Sequence, residues 1–591
     1  MTFPDGLRNK ASRDKLALDL CNEIRAGVSA RRGLKQRWDK NEKIYRNEPG
    51  ASGNQIIDGV EPYHIPLVKQ KLDWINGVVH HAITGIEPYV QVSAVDGSDD
   101  VAALIQNDLH FLIKKANFAK YLWEALQIAS TCGKGMLRIR YIDGRGFEFK
   151  VTHPADLSVY PASAETIADA KTVGVRFSKM YSEVQEMQKS GEYDKACDVI
   201  YGYNPDEDPS GRNPSFDKVD STEILTPADQ LVQLFEGCTQ RDIKGGKRWY
   251  KFCVALDSNQ LLSMDEFGAS STDEMGFTSN VPYSKPWIFA LAYEAEYGKF
   301  WPSTSLGQHL QGLQQAFSDG FNIMWGGSWS AAFPVPIISG GSFGEKLKKY
   351  RPGDILENPS AIQAQVIGVQ FNPAAIPSAI QMLENTADAV LGVSKMSTGQ
   401  QLKSGATATE SSFLAESQKR SEDRYTTYIT LMLQEMFEFA FELYKIHHDD
   451  ILRTFGMNVA LPDISLLGDS KFVIEVNGKA TTNAPQALIQ KLQMILQIAM
   501  TMPQLGVDVS AVVRKVIGSL ELPFNVNEIM PRQQGMAGVQ GQSMPGMGSE
   551  VPDGLLEAIA GLLGQSATGG PSPGAGQNPA IEGIDIAGLS G

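Results

Sequence analysis

The stretch that decides the fold is Ser303–Ser328, STSLGQHLQGLQQAFSDGFNIMWGGS. Leu306, Leu310, Leu313, Phe317, Phe321 and Met324 recur at three- and four-residue steps, which draws one apolar stripe along a helix of about six turns. Ser303 and Ser305 offer side-chain oxygens to the first unpaired N–H groups, and Gly326-Gly327 marks the expected end. The stretch holds no lysine or arginine; its charged or titratable side chains are His309 and Asp319.

Downstream, the β-like run AAFPVPIIS leads to a small basic helix over 345–350 and the turn Arg351-Pro352-Gly353-Asp354. A helix is predicted over 376–392, a polar loop over 394–409, and the longest helix of the chain over 410–448. The second half of that helix is dense in Ile429, Met432, Leu433, Met436, Phe437 and Phe439. A strand over 471–478 and helices over about 485–502 and 508–520 follow. From Arg532 onward the chain is rich in glycine, proline, serine and glutamine, too poor in apolar surface to offset ordering entropy, apart from a short helical patch at 555–563.

Upstream, the first 50 residues are helical in period and highly charged. A helix is expected over 66–84 with a break at Gly85, then a strand over 89–95, helices over 100–131 and a strand over 136–141. Residues 142–300 read mainly as strands and turns, with a polar, proline-rich surface loop at 203–220. Runs of strands and runs of helices, without regular alternation, define an α+β chain.

The whole chain has 591 residues and a net charge of −15. That length exceeds one ordinary domain, and the acidic balance argues against a protein whose task is to cling to nucleic acid. Five scattered cysteines with no CxxC pair support neither a disulfide framework nor a zinc ribbon. The charged N-terminus lacks the apolar core of a secretory signal, and the most membrane-like stretch, 484–502, is interrupted by Lys491 and glutamines. The expectation is a chain made in the cytosol that does not span a bilayer.

Catalytic motifs are sparse. Gly340-Gly341-Ser342-Phe343-Gly344 fits G-x-S-x-G, and His447 or His448 could serve as its base. The alternating strands and helices of a hydrolase sheet are missing before it, so a glycine turn is the better reading. No Walker motif occurs; Gly133-Lys134-Gly135 and Gly245-Gly246-Lys247 read as turns beside strands. The eight histidines, including His80-His81 and His447-His448, lack the i,i+4 spacing of a paired metal site. No catalytic, cofactor or metal residue is assigned. Lys346, Lys348, Lys349 and Arg351 form the densest basic cluster in the middle of the chain, which alone reads as a solvated face.

The order of these elements resembles the portal (head–tail connector) proteins of tailed bacteriophages. The matching pieces are TSLGQHLQGLQQAFSDGFN, the excursion with RPGDILENP, IPSAIQMLENTADAVLGVS, and KSGATATESSFLAESQKRSEDRY. Toward the N-terminus, PLVKQKLDWINGVVHHAITGIEPYVQV and FKVTHPADLSVYPASAETIADAKTVGVRF look like the family's wing. The likeness spans roughly residues 20–530 and is specific in order more than in letters.

The resemblance implies a portal-type subunit with a mixed α/β wing, a helical stem, a small β-containing clip, a helical crown and a disordered tail. Its boundaries would be 1–300 wing, 301–328 first stem helix, 329–373 clip, 374–393 second stem helix, 394–409 tunnel loop, 410–479 long helix and wing return, 480–530 crown and 531–591 tail. Leu306, Leu310, Leu313, Phe317, Phe321 and Met324 would pack the stem. Lys395, Gln400, Gln401 and Lys403 would touch DNA from the tunnel loop, and Lys346, Lys348, Lys349 and Arg351 would dock partners at the clip.

The implied assembly is a homo-oligomeric ring, usually of twelve subunits, at one capsid vertex of the virion, built in the host cytoplasm. It would be a structural protein, not an enzyme, conducting double-stranded DNA during packaging and ejection. Its partners would be the terminase large subunit, major capsid and scaffolding proteins, and head–tail adaptor or tail proteins. Twelve helices about 10 Å thick make a circle of roughly 120 Å, with a lumen of about 28 Å. The rival expectations are a serine hydrolase using Ser342 and another virion or scaffold protein that does not conduct DNA.

Overall fold

The computed structural model describes residues 9–48, 62–85, 87–94, 99–197, 231–242, 247–272, 278–294, 298–302, 304–332, 335–338, 356–357, 365–367, 375–392, 408–455 and 472–476, with Pro4, Val199 and Glu296. The expected surface loop at 203–220, the basic helix at 345–350, Ser342, the basic cluster from Lys346 to Arg351, the loop residues Lys395, Gln400, Gln401 and Lys403, the helices after 480 and the tail lie outside those residues.

The described part mixes helix and strand, as an α+β chain should. Helices α1 (Lys10–Ala30), α2 (Arg32–Tyr45) and α3 (Leu67–Thr84) precede strand β1 (Val90–Ala94). Then come α4 (Asp99–Lys115) and α5 (Phe118–Cys132), separated by Asn117 in the left-handed region at φ 55°. Gly133, at φ 93°, ends α5 and turns the chain into β2 (Gly135–Ile142). Strands β3 (Gly146–Thr152), β4 (Leu157–Tyr160) and β5 (Thr172–Met180) lead to α6 (Tyr181–Ser190). Six more strands follow: β6 (Leu231–Asp242), β7 (Lys247–Ala255), β8 (Gln260–Glu266), β9 (Gly268–Thr272), β10 (Thr278–Pro282) and β11 (Ile288–Leu291).

Helix α7 (Leu306–Ala332) opens the second half. Strands β12 (Val335–Ile338), β13 (Leu356–Glu357) and β14 (Gln365–Ile367) form a small sheet in the order β13-β12-β14. Helices α8 (Ala375–Leu391), α9 (Ala408–Ile446) and α10 (His448–Phe455) and strand β15 (Phe472–Val476) complete the described elements.

Two antiparallel sheets carry the N-terminal half. In the first, β4-β5-β6-β7-β8 run in sequence order, and α1 covers one face with Leu20 and Ile24 against Phe235, Tyr250 and Phe252. In the second, the order is β11-β2-β3. The main core joins that sheet to α3, α4, α5 and α9, with Phe118 packed between Phe149 and Phe437. β15 returns across the whole chain to pair with β1, placing Val476 opposite Val90. Residues before 300 and after 410 therefore share one hydrophobic core.

Three local expectations need correction. Helix α6 lies within a stretch read mainly as strands and turns, with no helix assigned there, because YSEVQEMQKS buries just Val184 and so shows no apolar stripe. Helix α7 does not stop at Gly326-Gly327 but continues to Ala332. Two helical glycines cost about 1 kcal/mol each relative to alanine, which a long helix with a buried side can absorb. Helix α9 begins at Ala408, inside the stretch read as loop, and breaks at His447 before α10.

Candidate functional site

The apolar stripe first read at 306–324 leads to a unit made of α7, α8 and the middle of α9. Its root is a polar junction. Ser305 caps α7, its Oγ accepting from the Gln308 N–H at 3.2 Å. The same hydroxyl donates to the Thr131 carbonyl at the end of α5 at 2.8 Å. Asn41 of α2 donates its amide to both Thr131 O and Ser305 Oγ, so three helices meet on one carbonyl.

Beyond the root, the stripe behaves unevenly. Leu306 and Leu310 are buried. Leu313 and Phe317 are only partly buried against the core, and Phe321 and Met324 are half-exposed. Apart from Gly326, the enclosed positions from there on are polar: Gln314, Ser318 and Asn322, one helical turn apart. They grip the backbone of the extended segment before α3 and of the first turn of α3 itself. Asn322 Oδ1 accepts from the Tyr63 N–H at 2.7 Å and its amide donates to Tyr63 O at 3.1 Å. Ser318 Oγ accepts from the Ile65 N–H at 3.4 Å, and Gln314 Oε1 from the Val68 N–H at 2.8 Å. This ladder fixes the rotation of α7 about its own axis. Hydropathy could not reveal it, because glutamine, serine and asparagine at i, i+4, i+8 read as a solvated face.

Helix α8 lies beside α7, close enough that a Cβ on Gly320 would stand 3.8 Å from Ile380 Cγ1. Its C-terminal turn is pinned three ways. Ala387 and Leu391 are buried, Asp388 meets Lys71 of α3 in an ion pair with both side chains 6% exposed, and Tyr425 of α9 donates its hydroxyl to Leu391 O at 3.3 Å. Gly392, at φ 69°, ends the helix.

With those faces used, large apolar groups remain partly exposed. Ile323 is 48% and Trp325 45% exposed on α7, and Met382 is 70% and Val390 47% exposed on α8. Tyr428 and Leu431 add to this on α9. Neither α7 nor α8 contains a lysine or arginine; their acids are Asp319, Glu384 and Asp388. Exposed apolar surface on helices with no cation suits contact with protein better than a grip on phosphate.

The other candidate chemistry is scattered. His447 stacks on Tyr141 at 4.2 Å between ring centroids and shares a 2.7 Å hydrogen bond with the Tyr283 hydroxyl. His448 is buried beside Tyr444. Burial holds both imidazoles below the ordinary histidine range. His80 bonds the Ala119 carbonyl, and Lys134 lies over the Phe300 ring at 3.8 Å, with burial lowering its amine to about 8.

One constellation that sequence spacing could not show is Glu42, Cys132 and His153, brought together from α2, α5 and the turn before β4. Their ligand atoms lie within 4.8 Å of one another, a separation a metal could bridge. The tautomer opposes this. His153 Nδ1 accepts the Ala155 backbone N–H at 3.0 Å, so Nε2 carries the proton and donates it to Glu42 Oε1 at 2.7 Å. A ligating Nε2 would need its proton on Nδ1, where a donor already points. The cluster is a hydrogen-bonded contact joining α2, α5 and the turn before β4.

A cavity of about 210 Å³ is lined by Tyr141, Glu236, Lys251, Asp265, Tyr283 and Trp287, among others. Its charges are largely matched, Lys251 reaching Glu236 at 3.0 Å and Arg248 meeting Glu266 at 2.5 Å. Among the described residues, no helix is long and apolar enough to cross a membrane. The chain matches no known family profile and no curated protein.

Proposed function

We propose that the chain is the ring-forming subunit of a portal, the head–tail connector at one capsid vertex of a tailed bacteriophage. The observation that carries the reading is the α7–α8 pair: rooted at Ser305, held in rotation by its polar ladder, free of cations, and exposing Ile323, Trp325, Met382 and Val390. In this reading α7 and α8 are the stem helices, and the exposed apolar groups meet the next subunit. Twelve such pairs would make a neutral-to-acidic sleeve through which duplex DNA passes without being held.

The remaining roles follow from the resemblance. The 329–373 segment with Lys346, Lys348, Lys349 and Arg351 would be the clip, docking the terminase large subunit and later the adaptor or tail proteins. Lys395, Gln400, Gln401 and Lys403 would touch DNA in transit, and major capsid and scaffolding proteins would contact the body. The energy for movement comes from a partner ATPase, since the chain has no Walker motif. Electron microscopy of the purified chain tests the reading directly. Rings with a central hole are expected; a monodisperse monomer across the micromolar range would overturn it.

A further inference from the structure

We infer that the outer side of α2 docks the phosphodiester backbone of a nucleic acid, at a place separate from α7 and α8. Residues 25–46 carry eight basic and two acidic side chains, in a chain whose net charge is −15. Helix α2 seats itself through Trp38, Asn41 and Ile44, which are buried. At 100° per residue, Arg46, Arg32 and Lys43 fall within about 60° on the opposite side, with Lys40 about 60° further round. All four are exposed. Of the two acids, Glu42 is bonded to His153 and reaches Arg46 only at 3.7 Å, while Asp39 is half-buried; just beyond the helix, Glu48 also reaches Arg46, at 3.6 Å.

The chemistry of this side selects the partner. None of the large exposed hydrophobic groups of the described residues lies on α2. Protein interfaces centre on apolar and aromatic anchors and are poor in lysine, so this face lacks what a protein partner needs. A membrane-surface helix must offer its apolar side to lipid, and that side of α2 is occupied by the core. A polyanion needs only charge along a line. Fourteen residues of helix extend about 21 Å, a length over which duplex presents roughly 12 phosphates. Such contact positions a nucleic acid without reading its sequence.

The inference does not rest on the ring. It is tested with the full-length chain and a labelled mixed-sequence duplex of about 30 base pairs, titrated across about 25–200 mM salt. The variant combines Arg32→Gln, Lys40→Gln, Lys43→Gln and Arg46→Gln. The expected result is weaker binding by at least about tenfold at low salt, with the log–log salt slope shallower by roughly 3–4. A charge-conserving set, Arg32→Lys, Lys40→Arg, Lys43→Arg and Arg46→Lys, should bind as the unchanged chain does, which separates charge from folding. Three results would overturn the inference: no duplex binding by the unchanged chain at the lowest salt, binding unaltered in the glutamine variant, or displacement of the duplex by polyglutamate as readily as by unlabelled DNA.

Discussion

Lys71 and Asp388 meet almost out of water, so each stabilises a partner that would otherwise be an isolated buried charge. Asp388→Asn should destabilise the chain by about 3–5 kcal/mol in urea unfolding, because the ammonium is left uncompensated. Lys71→Met combined with Asp388→Leu should recover most of that loss. Gln314→Leu makes a different test. It keeps the bulk but orphans the Val68 N–H, at an expected cost of about 1–3 kcal/mol. His447 and His448 give the pH dependence its sign. Burial lowers both, so the fold favours the neutral rings; their contribution is present above the ordinary histidine range and is lost as pH falls below it. The thermal midpoint should therefore drop between about pH 7 and 5, and drop less in a His447→Gln, His448→Gln variant. Asp108, raised by burial, works in the opposite sense nearer the carboxylate range.

At the scale of elements, the exposed face of α7 and α8 separates assembly from folding. Trp325→Ser with Met382→Ser removes side chains that are 45% and 70% exposed in the single chain, so monomer stability should fall by only about 1–2 kcal/mol, the lost Trp325–Tyr63 ring contact included. Mass photometry should nonetheless show loss of the proposed ring; unchanged assembly would remove these groups from the proposed subunit contact. Lys395→Ala with Lys403→Ala should impair DNA packaging or retention more than ring formation, and filled, stable heads would defeat that assignment. The sequence made α3, α5, α8 and most strands legible, because alternation and apolar stripes mark buried faces directly. It showed α7 only in part. Leu306 and Leu310 announced the burial of the root, whereas Gln314, Ser318 and Asn322 carry it onward through hydrogen bonds that hydropathy does not register. Glu42, Cys132 and His153 were invisible for another reason: they converge from 42, 132 and 153, with no spacing to betray them.

For the whole molecule, charge is distributed by place. The chain is acidic overall, its α7 and α8 helices lack cations, and residues 25–46, which include the helix beside the root of α7, carry eight basic side chains against two acidic ones. Net charge alone pointed away from a nucleic-acid clamp; its distribution is compatible with both the proposed passage along α7 and α8 and the inferred docking side on α2. The polar ladder adds a constraint of time. Its hydrogen bonds join residues 246, 253 and 259 positions apart. At about 5–20 residues per second, the segment around Tyr63 waits roughly 12–50 s after synthesis before Gln314 to Asn322 emerge to hold it. During that interval its backbone N–H groups lack these partners, so the hold on the segment cannot form before α7 has been synthesised.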